Sequence, residues 1–319
     1  MKENLNQQLE DAFEALDAER VKSLLAAGAD KRRHIRNRLL LQSCGVSKPM
    51  KPVEPKPFKD RPVTEYQQKQ YMKRLQEYPE KLKAYNDHIK YMTLLLENGA
   101  NPNTKDLVGE FCSYETALCS SLVEGYNLEE AELLVKHGAK VSSDDAIWIT
   151  EHRIDCDGLP LIKFLYEHGA NINARDYKGE TSLMKVAGFD SISASDLFSE
   201  PTKWLTEPIE YFISIGANLN LRDESGKTAL VRSLAQNWNW YYGLGDKIAL
   251  KYKDNFSATF YYEIPKILLS NGARVGIKDN YGKDALSHAA TNEEKMDLFA
   301  RALDDSNKFL RQKIVVMSR

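Results

Sequence analysis

Apolar residues recur along the chain in short stretches with a spacing of three or four residues, and each stretch ends at a glycine. Three clear stretches contain Ile162, Phe164 and Leu165, then Ile209, Phe212 and Ile213, then Ile267, Leu268 and Leu269. The glycines that follow them are Gly169, Gly216 and Gly272. This spacing places the apolar side chains on one face, so each stretch predicts an amphipathic helix with one buried side. The glycine predicts a left-handed helix end.

The segment that starts at each of these glycines is itself repeated. It reads GANINARDYKGETSL at 169–183, GANLNLRDESGKTAL at 216–230 and GARVGIKDNYGKDAL at 272–286. An Asp stands seven residues after the first glycine and a second glycine stands ten after it, and Asp-x-x-Gly favours a type I turn. We expect Thr181, Thr228 and Asp284 to cap second helices that begin at Ser182, Ala229 and Ala285. The predicted unit is helix, turn, helix and extended hairpin.

Weaker copies extend the repeat towards the beginning of the chain. They are LLAAGAD at 24–30, GANPNTKDLVG at 99–109 and LLVKHGAKVSSDDA at 133–146. Six helix-ending glycines and a final helix pair at 285–303 predict about seven repeats. Such a unit cannot bury its own apolar face, so it must stack on its neighbours.

These spaced positions resemble the ankyrin repeat, although the family's Thr-Pro-Leu-His helix start is nowhere intact. The resemblance implies an α-helical repeat solenoid over residues 1–305, with about seven stacked helix pairs, short β-hairpin-like connections and long inter-helix insertions. Residues 306–319 are expected to be a C-terminal tail. We also expect Leu134, Phe164, Phe212 and Leu268 to occupy equivalent buried positions.

Successive helix-ending glycines are 71, 39, 31, 47 and 56 residues apart, against about 33 for the family. The excess predicts insertions at about 45–85, 190–206 and 236–262. The first contains a proline-spaced stretch at 48–62, which favours polyproline II. A polar helix is expected to follow from about Thr64 to Leu96, and Pro79 could break it.

Basic residues are concentrated at 31–83, which holds fifteen Lys or Arg and five Asp or Glu. Since the whole chain has a net charge of −2, the remainder carries an excess of twelve negative charges. Arg32, Arg33 and Arg36 open this segment as candidate binding residues. Three interpretations remain open: a solvated arm, a surface for an acidic protein, or a surface for nucleic acid.

Aromatic residues are concentrated in the predicted insertion at 236–262, where nine of 27 residues are Phe, Tyr or Trp against 10% in the whole chain. Tyr and Trp dominate the contact surfaces of protein complexes. Candidate partner-binding residues here are Trp238, Trp240, Tyr241 and Tyr242, with Trp204 from the preceding insertion. The alternative is that the rings fold back and cover neighbouring helices.

No catalytic motif emerges from the chain, and we expect no cofactor or metal. Ser225–Thr228 imitates the end of a phosphate-binding loop, but Leu221 stands where that loop needs its first glycine. No stretch has the length and apolar character of a membrane span or a signal peptide. Four cysteines without a paired framework suggest a reducing compartment. We therefore expect a cytoplasmic protein, or an exported effector without a cleaved signal.

The ankyrin resemblance implies a non-enzymatic module for protein–protein interaction: an adaptor, scaffold, inhibitor or effector. Its expected contact surfaces are the concave face, the hairpin tips and the aromatic insertions. The alternative function is binding of nucleic acid or another acidic surface through residues 31–83. We expect a monomer that binds a protein partner.

Overall fold

The structure, a computed structural model, describes residues 2–30, 33–44, 51–52, 54, 64–105, 116–125, 127–152, 158–188, 201–235 and 259–317. The chain divides into two compact units, Met1–Lys140 and Val141–Arg319. Fourteen α-helices and no β-strand lie in these described ranges. An isolated antiparallel bridge joins Lys105 and Thr116. The connections expected to be β-hairpin-like are therefore hairpin-shaped loops without regular strands.

The first unit contains three helix pairs. Its helices are α1 (Lys2–Glu14), α2 (Ala18–Ala26), α3 (His34–Ser43), α4 (Glu65–Glu97), α5 (Ala117–Gly125) and α6 (Leu128–Lys136). Within each pair the two helices pack against each other, and α4 also contacts α1 and α6. Fully buried residues such as Phe13, Leu40 and Leu95 form the apolar interior of this unit.

The second unit contains four helix pairs arranged in two layers. Its helices are α7 (Ser143–His152), α8 (Gly158–Glu167), α9 (Ser182–Ala187), α10 (Pro201–Ser214), α11 (Ala229–Ala235), α12 (Ile264–Ser270), α13 (Ala285–Ala289) and α14 (Glu293–Met317). The first helices of successive pairs pack in one layer, and the second helices pack in the other. A continuous apolar core joins them, with Phe212 and Phe299 fully buried. The predicted helical repeat fold is confirmed, with seven helix pairs in the described ranges.

Three helices extend into regions that the sequence assigned to insertions or to the tail. The helix α4, Glu65–Glu97, matches the helix expected from about Thr64 to Leu96, and its first part lies inside the expected insertion 45–85. The helix α10 begins at Pro201, inside 190–206, and α14 continues to Met317, through most of the expected tail 306–319. The backbone hydrogen bonds of a helix lie within the helix itself, so a helix can continue past its repeat, and repeat spacing alone does not show where it begins or ends.

The helix α4 is continuous through Pro79, so the break that the sequence allowed there does not occur. Proline removes one backbone hydrogen bond, but the first turns of α4 are largely exposed, where water can satisfy the freed carbonyl. A capping box holds the start of this helix: the Thr64 hydroxyl accepts the Gln67 N–H, and the Gln67 side chain accepts the Thr64 N–H. The result is a 33-residue helix whose last turns enter the core.

The six helix-ending glycines share one geometry. Their φ values lie between 86° and 104°, and each N–H binds the carbonyl three residues earlier. The following alanine donates its N–H to the carbonyl of the residue four before the glycine, which completes a Schellman motif. Those residues are Leu24, Leu95, Leu134, Leu165, Phe212 and Leu268, all buried. Phe164 is buried as expected, but it lies five residues before its glycine, so Leu165 is the true equivalent.

Asparagine side chains connect successive repeats just beyond these glycines. The Asn173 amide donates to the carbonyl of Gly216 at 3.4 Å, and its oxygen accepts the Asn218 N–H at 2.7 Å. Two further junctions repeat this pair of bonds: Asn103 with Gly138 and Lys140, and Asn220 with Gly272 and Arg274. Because one planar amide satisfies two backbone groups of the next repeat, it fixes the position of that repeat.

Replacement of Gly216 by Ala should destabilise the protein by about 1–2 kcal/mol, because only the positive φ of 92° opposes a side chain. A Cβ placed on this residue would meet no atom within 4 Å. The matched control is Gly276→Ala, at a glycine with equally open space and no positive φ. Urea unfolding should show a loss for the first variant and little change for the second. Equal effects would contradict the backbone explanation.

Candidate functional site

Three hairpin loops of the second unit are built around the Asp of the Asp-x-x-Gly turn. In each loop one carboxylate oxygen accepts backbone N–H groups of the same turn. The bonds join Asp176 to Lys178 and Glu180, Asp223 to Lys227, and Asp279 to Tyr281 and Lys283, at 2.8–2.9 Å. The turn therefore depends on a carboxylate that faces into the loop.

The other carboxylate oxygen binds a cationic or imidazole side chain nine residues later. The pairs are Asp176 with Lys185 and Asp223 with Arg232, both at 2.9 Å, and Asp279 with His288 at 2.8 Å. Each partner lies in the first turn after the predicted helix cap, and the cap hydrogen bonds of Thr181, Thr228 and Asp284 are present. Helical side chains point back towards the start of their helix, which directs these groups towards the loop.

Lys185 is the centre of the largest ionic cluster in the described part of the second unit. Its Nζ lies 2.9 Å from Glu151, 2.9 Å from Asp176 and 2.6 Å from Glu180, and its side chain is 5% exposed. Burial opposes the charge, but the hydrogen bonds to these carboxylates outweigh it and raise the pKa of Lys185. Glu180 also contacts Arg232, which extends the cluster to the next repeat.

The outer surface of the three loops forms a continuous ribbon, here called the tip face and defined as residues 175–180, 222–227 and 278–283. Adjacent loops are joined by backbone hydrogen bonds, from the Glu224 N–H to Lys178 at 3.0 Å and from the Asn280 N–H to Ser225 at 2.9 Å. Tyr177 and Tyr281 stand on this ribbon with 81% and 80% of their surface exposed. The tip face thus presents two large rings on a fixed backbone.

Of the basic residues that the sequence singled out, Arg36 has its donors directed inward. Its Nε lies 2.9 Å from Asp30, its side chain is 11% exposed, and a second nitrogen contacts the Asn98 carbonyl. This arrangement ties the start of α3 to the end of α4. Arg33 is exposed at the start of α3, and Arg32 lies outside the described residues.

The aromatic candidates lie where the structure gives no description of their side chains. Trp238, Trp240, Tyr241 and Tyr242 lie outside the described residues, and of Trp204 only its place in α10 is described. Two rings at the end of the predicted insertion are described. Tyr261 is buried, and the Tyr262 hydroxyl donates to Asp305 at 2.8 Å. These two rings pack on the repeat stack, as the covering alternative expects for some of the cluster.

A buried polar cluster in the first unit joins α4 to the start of α6. The Tyr85 hydroxyl donates to Asn127 at 2.9 Å, and the His88 ring contacts Glu130 at 3.2 Å. Asn127 also caps α6 and donates to Glu130 at 2.6 Å. Burial, opposed by the Asn127 hydrogen bond, raises the pKa of the Tyr85 hydroxyl. Since the groups satisfy one another beneath the surface, the cluster anchors α4 and offers no open site.

The sequence named the hairpin tips only as a class of surface and missed these particular residues. Tyr177 and Tyr281 were not singled out because isolated tyrosines in a polar loop give no periodic signal. The nine-residue spacing from Asp to Lys185, Arg232 and His288 was visible in the repeat and could have revealed the ionic pairs. Aligning the three copies by their Asp-x-x-Gly turns provides that signal.

No described helix combines the length and apolar character needed to cross a bilayer. Within the same ranges, no group of three or more His, Cys, Asp and Glu side chains is arranged to hold a metal ion.

Comparison with known proteins gives one curated relative and several solved folds. The chain is 34% identical over 95 residues to ankyrin repeat and SOCS box protein 6 of Mus musculus, a match that spans 28% of this chain and 22% of that protein. The chain thus covers about a fifth of the length of this relative. No protein-family model matches the chain.

Similar solved structures include ankyrin repeat domains. One from Acinetobacter baumannii AYE has a TM-score of 0.47 and 22% identity, and covers 71% of this chain and 98% of its own. The human ASB11 domain has a TM-score of 0.44 and 16% identity, and covers 92% and 96%. A chain from the complex of the Bdellovibrio bacteriovorus endopeptidase Bd0816 with immunity protein Bd3460 has a TM-score of 0.44 and 18% identity, and covers 68% and 92%.

The repeated Schellman ends, the asparagine junctions and the Asp-x-x-Gly turns form a unit that is similar to the ankyrin repeat, and the similarity to the mouse protein agrees with this. The predicted resemblance to the ankyrin repeat family is therefore confirmed.

Lys185→Met should destabilise the second unit by about 3 kcal/mol at neutral pH, because it removes the cation that Glu151, Asp176 and Glu180 share and leaves Glu180 with Arg232 alone. In the wild type, burial raises the pKa of Asp176, but the hydrogen bonds from Lys185 and the backbone outweigh it and lower that pKa overall. The stability that ionised Asp176 contributes is fully present above the pKa that this residue has in the unfolded chain. It is lost as pH falls through the lower pKa that Asp176 has in the folded protein. The difference in stability between variant and wild type should therefore narrow as pH falls below about 4.

Urea unfolding at several pH values measures this effect. Lys227→Met is the matched control, since Lys227 is a half-buried cation of the same face, and it should change the stability by less than about 0.5 kcal/mol. A loss for Lys185→Met that stays constant from neutral to acidic pH would show that packing, and not charge, is responsible.

Proposed function

We propose that this chain is a non-enzymatic protein-binding module and that the tip face is its main contact surface. The observation that carries this proposal is the exposure of Tyr177 and Tyr281 on a hydrogen-bonded backbone ribbon. Tyr side chains bury a large area on binding and lose little rotamer entropy, so they are frequent hot spots of protein interfaces. Ankyrin-type architecture supports the same class of function.

Preorganisation of the tip face also supports binding. The Asp carboxylates fix each turn from inside, and the bonds from Glu224 to Lys178 and from Asn280 to Ser225 fix the turns relative to one another. A surface that is ordered before binding loses less conformational entropy when a partner docks. The backbone that carries the two exposed rings is therefore ordered without the partner.

The first test identifies the partner by site-specific crosslinking. A photoreactive phenylalanine analogue at position 177 should crosslink a protein in cells that express the full chain. The same analogue at position 66 is the control, because Tyr66 is 71% exposed but lies on α4, in the first unit. Crosslinking from position 66 but not from 177 would move the contact surface away from the tip face.

The double variant Tyr177→Ala/Tyr281→Ala should bind the captured protein at least about tenfold more weakly, because it removes both exposed rings. Titration calorimetry with the purified partner measures the affinity. Circular dichroism checks that the wild type and the double variant are both folded. Tyr66→Ala should bind as the wild type does. An unchanged affinity in the double variant would refute the tip face as the main surface.

The aromatic insertion at 236–262 stays a separate candidate for the same function. Trp240→Ala should weaken binding of the captured partner at least about tenfold if the rings around it form part of the interface. The matching Trp238→Ala variant controls for effects that are specific to one ring. If both variants stay folded and bind normally, the rings serve to cover the repeats.

A further inference from the structure

The tip face differs in charge from what its sequence suggests. Its three segments contain six Lys or Arg and five Asp or Glu, which is close to neutral. Four of the five acidic side chains, however, face inward and are at most 13% exposed: those of Asp176, Glu180, Asp223 and Asp279. Glu224 is the acidic residue of this face that stays exposed.

The inward carboxylates are paired below the surface. Lys185 and Arg232 form ion pairs with three of them, and His288 binds the fourth. The basic side chains of the same segments point the other way: Arg175, Lys178, Arg222, Lys278 and Lys283 are exposed, and Lys227 is half-buried. The outer surface therefore carries about six positive charges against one negative charge, and it attracts acidic groups.

The positive charges are grouped around the two tyrosines. Arg175 and Lys178 flank Tyr177, while Lys278 and Lys283 flank Tyr281. The central segment lies between them and exposes Glu224. A partner that places carboxylates at both ends and a non-acidic residue in the middle would match this distribution.

Two features of the central segment favour an acidic polypeptide over nucleic acid. Glu224 would repel a phosphate chain that crossed all three loops. Arg222, the residue type best suited to phosphate, already uses its Nε on the Gly226 carbonyl at 3.1 Å and one Nη on Asn280 at 3.2 Å. The evenly spaced charges of a nucleic-acid backbone would therefore not match the uneven charge distribution of the tip face.

We propose that the tip face binds an acidic polypeptide segment, with carboxylates on Arg175 and Lys178 at one end and on Lys278 and Lys283 at the other. Tyr177 and Tyr281 pack on the partner's side chains between these contacts. The residue of the partner that lies opposite Glu224 is not acidic. This inference rests on the proposed protein-binding function and specifies the chemistry of the partner.

The experiment selects random linear peptides displayed on phage against the full chain, with the Tyr177→Ala/Tyr281→Ala variant for counter-selection. Peptides that depend on the tip face should be rich in Asp and Glu, with a non-acidic centre. Tip-dependent peptides of neutral or basic composition would overturn this inference and leave the proposed function standing. Failure to obtain any tip-dependent peptide would count against both.

A charge-reversal variant tests the selected acidic peptides directly. Arg175→Glu/Lys178→Glu/Lys278→Glu should lower their affinity at least about tenfold, and the affinity of the wild type should fall steeply with salt. The matched control is Lys22→Glu/Lys90→Glu/Lys308→Glu, at three exposed lysines that do not belong to the tip face. Equal losses in the two variants would mean that the net charge of the chain, and not the tip face, is recognised.

Two further arms address the central residue and the alternative ligand. Glu224→Lys should admit peptides that are acidic throughout, and continued exclusion of these peptides would contradict its assigned role. A pool of random single-stranded RNA is selected in parallel with the same counter-selection. The proposal would be wrong if the selected RNA depends on the tip face and binds more tightly than the peptides at equal salt. The ligand of the tip face would then be nucleic acid and not an acidic polypeptide.

Discussion

The carboxylate that faces into each tip loop is the interaction on which the second unit's surface depends. One oxygen of Asp176 holds the turn through backbone N–H groups, and the other holds Lys185 at the start of the following helix. A single side chain thereby fixes the loop and joins it to the helix. The same arrangement recurs at Asp223 and Asp279. Because it consumes the acidic groups of the loops, it also determines the charge that the solvent meets.

The variation among the three copies has a physical meaning. The partner of the Asp is a lysine in one copy, an arginine in the next and a histidine in the last. Lys185 and Arg232 share Glu180 and so connect two repeats, whereas His288 binds the Asp of its own repeat. The ionic coupling between neighbours is therefore strongest between the first two loops of the tip face. In a repeat protein such neighbour contacts contribute directly to stability.

The repeat pattern predicted much of the fold, because backbone requirements are local. A helix end with positive φ needs glycine, and a hydroxyl or carboxylate must precede a helix to cap it. Gly216, Thr181 and Asp284 could therefore be assigned from their neighbours in sequence. The extent of α4 was predicted separately from the repeat, as a helix from about Thr64 to Leu96, and the helix runs Glu65–Glu97. The end of α14 was not predicted, because this helix runs to Met317, beyond the repeat period on which the expected tail at 306–319 depended.

The sequence by itself therefore determined the number of repeats, the six helix ends marked by glycine and the turn chemistry, because each repeat is recognised by residues a few positions apart. Only the tertiary structure decided which charges are outside. Asp176 and Glu224 are both acids of tip loops, yet one is turned inward onto Lys185 while the other faces solvent. That difference arises from which side chains of the adjoining helices and the next repeat lie within reach, and formal charge along the chain contains no record of it.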